Sequence, residues 1–240
     1  MKVKLLLISI VPSLIIALWI YFHDKYDREP ISLVFRTFLY GAIIVVPTLY
    51  IEKFLLSLNV FTGLMENIFI AFLVAGWTEE FFKRLIVLNT VYNHREYNEK
   101  LDGIAYSIYV ALGFATIENI MYVLNNYSIN PFVGVYRGIF SVPAHTLFAT
   151  TMGYYISLAK FSNDRKIKKK YLKKSLWIPV IFHGIFNFIL LSKIPLLMIF
   201  FIPFVIYLWI VNIKKLREYS KESKSAVQAD IIKENKNMDR

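Results

Sequence analysis

Residues 68–92 read IFIAFLVAGWTEEFFKRLIVLNTVY, a run long and apolar enough to cross a bilayer as a helix, yet charged at its middle. A spanning helix needs about 20 mostly apolar residues. A charged side chain at the bilayer centre costs about 2.5–3.5 kcal/mol on insertion scales, so each one requires a partner or a function. This stretch therefore predicts a membrane helix that carries either an ion-pair network or a reactive site, formed by Glu79, Glu80, Lys83 and Arg84.

The composition of the whole chain agrees with a membrane protein. Of its 240 residues 57% are apolar and 19% charged, and the mean hydropathy is +0.49. With 20 Phe, 16 Tyr and 4 Trp, the chain is too hydrophobic and too aromatic for a disordered protein. The absence of cysteine excludes disulfides, a thiol nucleophile and a thiolate metal site. Any metal would need histidine and carboxylate ligands.

Six further runs have the length and hydropathy of membrane helices. We therefore predict an all-α fold, a polytopic transmembrane bundle of about seven to eight helices. The segment 54–64 is too short to span, and it is either an interfacial segment, an extension of a neighbouring helix or part of an eighth crossing. The runs are Leu5–Phe22, Ile31–Tyr50, Gly103–Leu124, Val133–Leu158, Leu176–Leu191 and Ile194–Val211.

The basic residues predict the orientation. The formal net charge is +11, and the Lys and Arg residues concentrate in a predicted loop at 160–175 and in the tail. Such blocks are typical of cytoplasmic segments and of contact with anionic lipid, so nucleic acid is not an expected partner. We predict a transmembrane domain at 1–212 and a charged cytoplasmic tail at 213–240, which places the N-terminus outside.

Polar residues interrupt three other predicted helices. Taken singly, each has an ordinary structural explanation. His145 could bond a nearby hydroxyl, Glu118 could pair with Arg137, and His183 and Asn187 share a helix face and could join two helices. Glu79 and Glu80 could likewise form a buried ion-pair network with Lys83.

The predicted depths of these residues favour a shared site over scattered ion pairs. With the N-terminus outside, all four helices carry their polar residues in the central and outer parts of the bilayer. A water-containing cavity that opens toward the outside is therefore predicted, with three carboxylates and two imidazoles converging in it. The residues are Glu79, Glu80, Glu118, His145, His183 and Asn187.

Such a cavity could hydrolyse a peptide bond. One of Glu79 and Glu80, with Glu80 preferred, would activate water as a general base, while Lys83 holds the glutamate pair. His183 and Asn187 would donate to the oxyanion. Alternatively, His145, His183 and Glu80 would hold one divalent metal such as zinc, because two imidazoles and a carboxylate form a catalytic zinc site. Both mechanisms, with and without a metal, stay open.

The motifs resemble those of the PrsW family of intramembrane proteases, over residues 12–212. The resemblance rests on YDREP (26–30), EEFFK (79–83), DGIAYSIYVALGFATIENIMYVL (102–124), RGIFSVPAHTLFATTMGYYISLAK (137–160) and HGIFNFIL (183–190), in that order. The family is similar to the type II CAAX prenyl proteases. Glu118 stands where that larger group has a histidine.

The resemblance implies a hydrolase of the bacterial cell membrane. It would make the first, extracytoplasmic (site-1) cut in a single-span anti-sigma factor. It also implies that Glu79, Glu80 and His183 are essential, with His145, Glu118 and Asn187 beside them. Two other functions remain as alternatives: a CAAX-type protease acting on lipidated peptides from the cytoplasmic side, and a non-enzymatic proton or ion pathway.

Overall fold

The protein is an all-α membrane bundle, as predicted. The structure is a computed structural model that describes residues 2–23 and 27–238, and within these ranges it contains helices and no strands. Lys25 of the predicted cytoplasmic connection and Tyr26 of the YDREP stretch lie outside the described residues. The helices are α1 (Lys2–His23), α2 (Ile31–Ser57), α3 (Gly63–Ile68), α4 (Thr78–Thr90), α5 (Lys100–Asn126), α6 (Val133–Tyr136), α7 (Val142–Lys160), α8 (Arg165–Ser192) and α9 (Pro195–Met238).

Two π-helical segments join short helices into longer rods. Phe69–Trp77, here called π1, connects α3 to α4, and Arg137–Ser141, here called π2, connects α6 to α7. Five helices of the described part are individually long and apolar enough to cross a membrane. Their ranges are Lys4–His23, Ile31–Ser57, Lys100–Asn126, Arg165–Ser192 and Pro195–Ser225.

Two predicted boundaries are wrong. Helix α2 continues past Tyr50 to Ser57, so its predicted end is wrong, and of the alternatives for the segment 54–64 the extension of a neighbouring helix is confirmed for 54–57. The basic segment after Asp164 is the beginning of α8 and not a loop. The Asp164 side chain accepts hydrogen bonds from the amides of Lys166 and Ile167 and so caps the helix, and lysine is itself a good helix former.

Helix α5 is the centre of the bundle and contacts α1, α2, α4, α7 and α9. Glycines permit its close approach to two neighbours. A Cβ atom on Gly41 of α2 would lie 2.0 Å from the carbonyl oxygen of Val110, and one on Gly153 of α7 would lie 2.1 Å from that of Gly103. Such contacts bring helix backbones together in membranes, where small residues at the interface favour tight packing.

Helix α9 extends well beyond the predicted span that ends at Val211. Its continuation packs on the bundle: Tyr219 is buried and stacks on Tyr154, and Lys100 forms an ion pair with Glu222 at 2.8 Å. The helix therefore runs without a break through the boundary predicted at residue 212. The last two residues of the predicted tail, 239 and 240, lie outside the described residues.

The bundle has two chemically different ends. The connections 58–62, 127–132 and 193–194 meet at one end, here called the cavity end, and 91–99 and 161–164 meet at the other, here called the basic end. At the basic end, Ser157 donates to the carbonyl of Lys100 at 2.7 Å and accepts from Tyr97 at 2.8 Å. Burial raises the pKa of Tyr97 above its ordinary value, so this phenol stays a neutral donor.

Candidate active site

The glutamate pair begins helix α4, directly after π1. Glu79 and Glu80 lie in the first turn of α4, and the hydroxyl of Thr78 donates to the carbonyl of Leu73, five residues earlier, at 3.1 Å. A π-helical segment rotates the residues that follow it relative to a regular helix, and such segments are frequent at functional sites. Both glutamates are thereby directed into the bundle, where they are buried.

The Lys83 ammonium joins the two glutamates to a histidine of another helix. Its Nζ lies 2.9 Å from Glu79 Oε2, 2.9 Å from Glu80 Oε1 and 3.0 Å from His145 Nδ1. It also lies 4.3 Å from the centroid of the Phe114 ring, a favourable position for a cation. Lys83 is 1% exposed, so its charge is balanced by these partners and not by water.

His183 of α8 approaches the glutamates from the opposite side. Its Nδ1 lies 3.0 Å from Glu80 Oε1, and its Nε2 lies 4.0 Å from Glu79 Oε1. The ring stacks on Phe148 with centroids 4.9 Å apart, which fixes its plane. Since an ionised Glu80 can only accept, Nδ1 carries the proton of a neutral His183, and Nε2 presents a lone pair.

His145 and Glu118 continue the polar network toward the cavity end. His145 Nε2 lies 3.0 Å from Glu118 Oε2, and the same carboxylate forms an ion pair with Arg137 at 2.8 Å. Arg137 belongs to π2 and also donates to Asn119 Oδ1 at 2.9 Å. Asn119 in turn donates to the carbonyl of Ser9 at 2.9 Å. The network therefore ties α5 to π2, α7 and α1.

A cavity of about 560 Å³ lies between this network and the cavity end of the bundle. It extends toward the cavity end of the bundle, because Leu56, Tyr136 and Met198 line it near the ends of their helices. Its reactive lining consists of Glu79, Glu118, His145, His183 and Asn187, together with Arg137 and Glu52. Glu80 and Lys83 are not among the described residues that line the cavity, because both lie behind Glu79 and the histidines.

Four of these side chains could hold a metal ion. Glu79, Glu80, His145 and His183 each offer one ligand atom, and these atoms all lie within 4.8 Å of one another. In addition, Glu80 Oε2 is buried and has no hydrogen-bond partner in the described part of the chain. Oxygen and imidazole donors of this kind fit a divalent ion such as zinc. The Lys83 ammonium lies between three of the four donors, so it would have to move aside for such an ion.

The structure gathers Glu79, Glu80, Glu118, His145, His183 and Asn187, the residues of the predicted cavity, and it places Lys83 and Arg137 beside them. Arg84, by contrast, does not pair with Glu80 and instead binds Ser175 and the carbonyl of Leu172 on α8. The sequence reasoning missed Glu52, which lines the cavity from α2. Glu52 lies only two residues beyond the predicted span, which ended at Tyr50 and so left Glu52 in a connection.

Comparison with known proteins gives one consistent family. The family model described as PrsW family intramembrane metalloprotease matches residues 29–211. A protein called Protease PrsW from Clostridioides difficile is 41% identical over 98% of this chain and 100% of its own length. Proteins of the same name from Bacillus subtilis and Oceanobacillus iheyensis are 35% and 36% identical, over 88% and 90% of this chain and 93% and 95% of their own. No solved structure matches the chain.

Proposed function

Because this chain belongs to the PrsW family of intramembrane metalloproteases, we propose that its buried glutamates and histidines hydrolyse a peptide bond of a single-span membrane protein. Membership in the family makes it a membrane-embedded protease and hence a hydrolase. The observation that carries the assignment of the site is the placement of Glu79 and His183, which face one cavity with Oε1 and Nε2 4.0 Å apart. Water and a substrate carbonyl can reach both groups from that cavity.

Glu79 is the proposed general base. It lines the cavity, whereas Glu80 is directed at Lys83 and His183 and is 1% exposed. A base has to reach the water whose proton it removes. This geometry favours Glu79 over Glu80, the glutamate that the sequence reasoning preferred. Glu80 instead orients His183 and shares the Lys83 ammonium.

His183 and Asn187 divide the remaining polar tasks. A neutral His183 has its proton on Nδ1, toward Glu80, so its Nε2 can accept a proton or bind a cation but cannot donate to an oxyanion. Asn187 lies one turn further along α8 and lines the same cavity. Its amide N–H groups are the proposed donors to the oxyanion that forms when water attacks the carbonyl.

The residues that would hold a divalent metal are Glu79, Glu80, His145 and His183. When bound, such an ion acts as a Lewis acid toward the carbonyl and makes water more acidic. His183 is already arranged for this role, because Glu80 holds its Nδ1 as carboxylates commonly hold metal-binding histidines. In a mechanism without a metal, the Lys83 ammonium supplies the positive charge beside Glu79.

The orientation of the cavity supports a cut on the extracytoplasmic side. The cavity extends toward the end of the bundle that is opposite the lysine-rich start of α8. Basic segments stay on the cytoplasmic side of membranes. The cavity end would therefore face the outside and the charged C-terminal tail the cytoplasm. A CAAX-type reaction on lipidated peptides requires the opposite orientation.

The proposed substrate is a membrane-anchored anti-sigma factor, and the proposed reaction is its first, site-1 cleavage. The test is co-reconstitution of the purified protein with a single-span anti-sigma factor in liposomes, with the cut located by mass spectrometry. We expect cleavage on the extracytoplasmic flank by wild type and cleavage that is slower by about 10²–10⁴-fold by Glu79→Gln. Failure of wild type to cut any anti-sigma factor of the same cell would contradict the proposal.

A chelator added to the same assay separates the two forms of the mechanism. Loss of wild-type cleavage that zinc restores would assign the Glu and His cluster to a metal. Cleavage that persists in the chelator would assign water activation to Glu79 beside Lys83 alone. Glu96 is partly buried and pairs with exposed Arg95 at the basic end, so Glu96→Gln offers a matched control away from the cavity.

A further inference from the structure

Helix α2 brings an unassigned carboxylate, that of Glu52, to the cavity. Glu52 lies five residues before the end of α2 at Ser57, and it lines the cavity together with Glu79 and Glu118. It is therefore nearer to the cavity end of the bundle than the proposed base. A substrate segment that enters from this end passes Glu52 before it reaches Glu79.

Glu52 differs from the other carboxylates of the site because it has no hydrogen-bond or ion-pair partner in the described part of the chain. Glu79 and Glu80 bind Lys83, and Glu118 binds Arg137 and His145. Across residues 2–23 and 27–238, no hydrogen bond or ion pair involves Glu52. Lys83 and Arg137, the two cations of the site, are already bound to these other carboxylates. Among the described residues, the site therefore has four carboxylates and two cations, and Glu52 is the carboxylate without a cation.

The surroundings of Glu52 favour a cationic ligand. Leu49 and Leu56 lie on the same helix face and line the cavity, as do Met121 and Tyr122 of α5. A carboxylate among apolar side chains attracts a positive charge more strongly than one in water, because the local dielectric constant is lower. Lysine and arginine have apolar stems that fit such a wall while the charged head reaches the carboxylate.

We propose that Glu52 is a substrate-binding residue that selects a lysine or arginine on the extracytoplasmic flank of the substrate. This inference rests on the proposed proteolysis, since it concerns the same cavity. Basic residues are scarce on extracytoplasmic flanks of membrane spans. A carboxylate that requires one beside the scissile bond therefore discriminates among the many single-span proteins that share the bilayer.

The test uses two matched sets of single-span substrates in liposomes with the full-length protein. In one set a single lysine is moved along the extracytoplasmic flank, and in the other glutamine occupies the same positions. With wild type we expect one window of positions at which the lysine substrate has a KM lower by about tenfold, as for a charge pair across an interface. The kcat should change little.

Variants of Glu52 then show whether the carboxylate is responsible. Glu52→Gln should abolish the KM difference between the lysine and glutamine substrates, so that its effect is larger on the lysine set than on the glutamine set. Glu52→Lys should reverse the preference, so that a glutamate in the window is cut better than glutamine. Glu66→Gln is the matched control, because Glu66 is a partly buried carboxylate near the same end that does not line the cavity.

The outcomes separate this inference from the proposed function. Equal cleavage of both sets by wild type, or an equal loss on both sets in Glu52→Gln, would overturn the role of Glu52 and leave the protease assignment intact. Such an equal loss would indicate a structural role. If wild type cut no substrate of either set, the proposed proteolysis would fail and the inference with it.

Discussion

Lys83 Nζ lies 3.0 Å from His145 Nδ1, so the ammonium of α4 donates a hydrogen bond to an imidazole of α7. An ammonium has no acceptor, and His145 must therefore keep its Nδ1 unprotonated. The proton of a neutral ring then lies on Nε2, which donates to Glu118. Lys83, which neutralises the glutamate pair, therefore also fixes the tautomer of His145. It contacts Glu79, Glu80 and His145, three of the four residues that could hold a metal ion.

Replacement of this ammonium should make the site more dependent on a metal. In Lys83→Met the two buried carboxylates lose their shared cation, and breaking a buried ion pair costs about 3–5 kcal/mol. We expect a lower Tm without metal and a larger zinc-induced rise in Tm than in wild type, since the ammonium no longer competes for Glu79, Glu80 and His145.

Thermal unfolding of both proteins in detergent, with a chelator and with a zinc series, measures this difference. Lys169→Met is the control, because Lys169 is an exposed lysine of α8 at the basic end. An identical zinc response in Lys83→Met and wild type would show that the ammonium and the ion do not share a site.

The glutamine variants of Glu79 and Glu80 should differ in the activity that they retain. Glu79→Gln loses the proposed base, and general-base catalysis contributes about 10²–10⁴-fold, so kcat should fall by that order while the substrate still binds. In Glu80→Gln the amide oxygen can still accept from His183 Nδ1, so a smaller loss is expected. Glu80→Ala, which leaves His183 without this partner, should be as inactive as Glu79→Gln. Single-turnover cleavage in liposomes measures all three, and a larger loss in Glu80→Gln than in Glu79→Gln would transfer the role of base to Glu80.

The helices and most of the site were predictable because their signals are local. Apolar runs of spanning length and polar residues three and four apart are visible in one sequence, and they identified the group that includes Glu79, Lys83 and His183. The two π-helical segments were not predictable, since regular spacing cannot reveal an extra residue in a turn. Glu52 was missed for a related reason: the extent of α2 depends on its packing along α5, which hydropathy alone does not report.

The contact between Gly103 and Gly153 should be essential for packing α5 against α7. A Cβ atom at position 153 would lie 2.1 Å from the carbonyl oxygen of Gly103, and a helix backbone cannot move locally to relieve that overlap. Gly153→Val should therefore lower the free energy of unfolding by about 1–3 kcal/mol or more. The measurement is the detergent-solubilised Tm, with Leu158→Val on the same helix as the control. A Tm of Gly153→Val equal to that of the control would mean that the helices are further apart.

The ion pair of Glu118 and Arg137 should couple α5 to π2 in energy as well as in space. Their contact is 2.8 Å and both side chains are about 15% exposed, so water replaces either partner poorly. Residues in one hydrogen-bonded network show coupling energies of about 0.5–3 kcal/mol. Glu118→Gln and Arg137→Gln should each destabilise the protein, and the double variant should lose less than the sum of the two. Glu118→Gln should also retain more activity than Glu118→Ala, because the amide oxygen still accepts from His145 Nε2. Additive losses in this double-mutant cycle would contradict the coupling between Glu118 and Arg137.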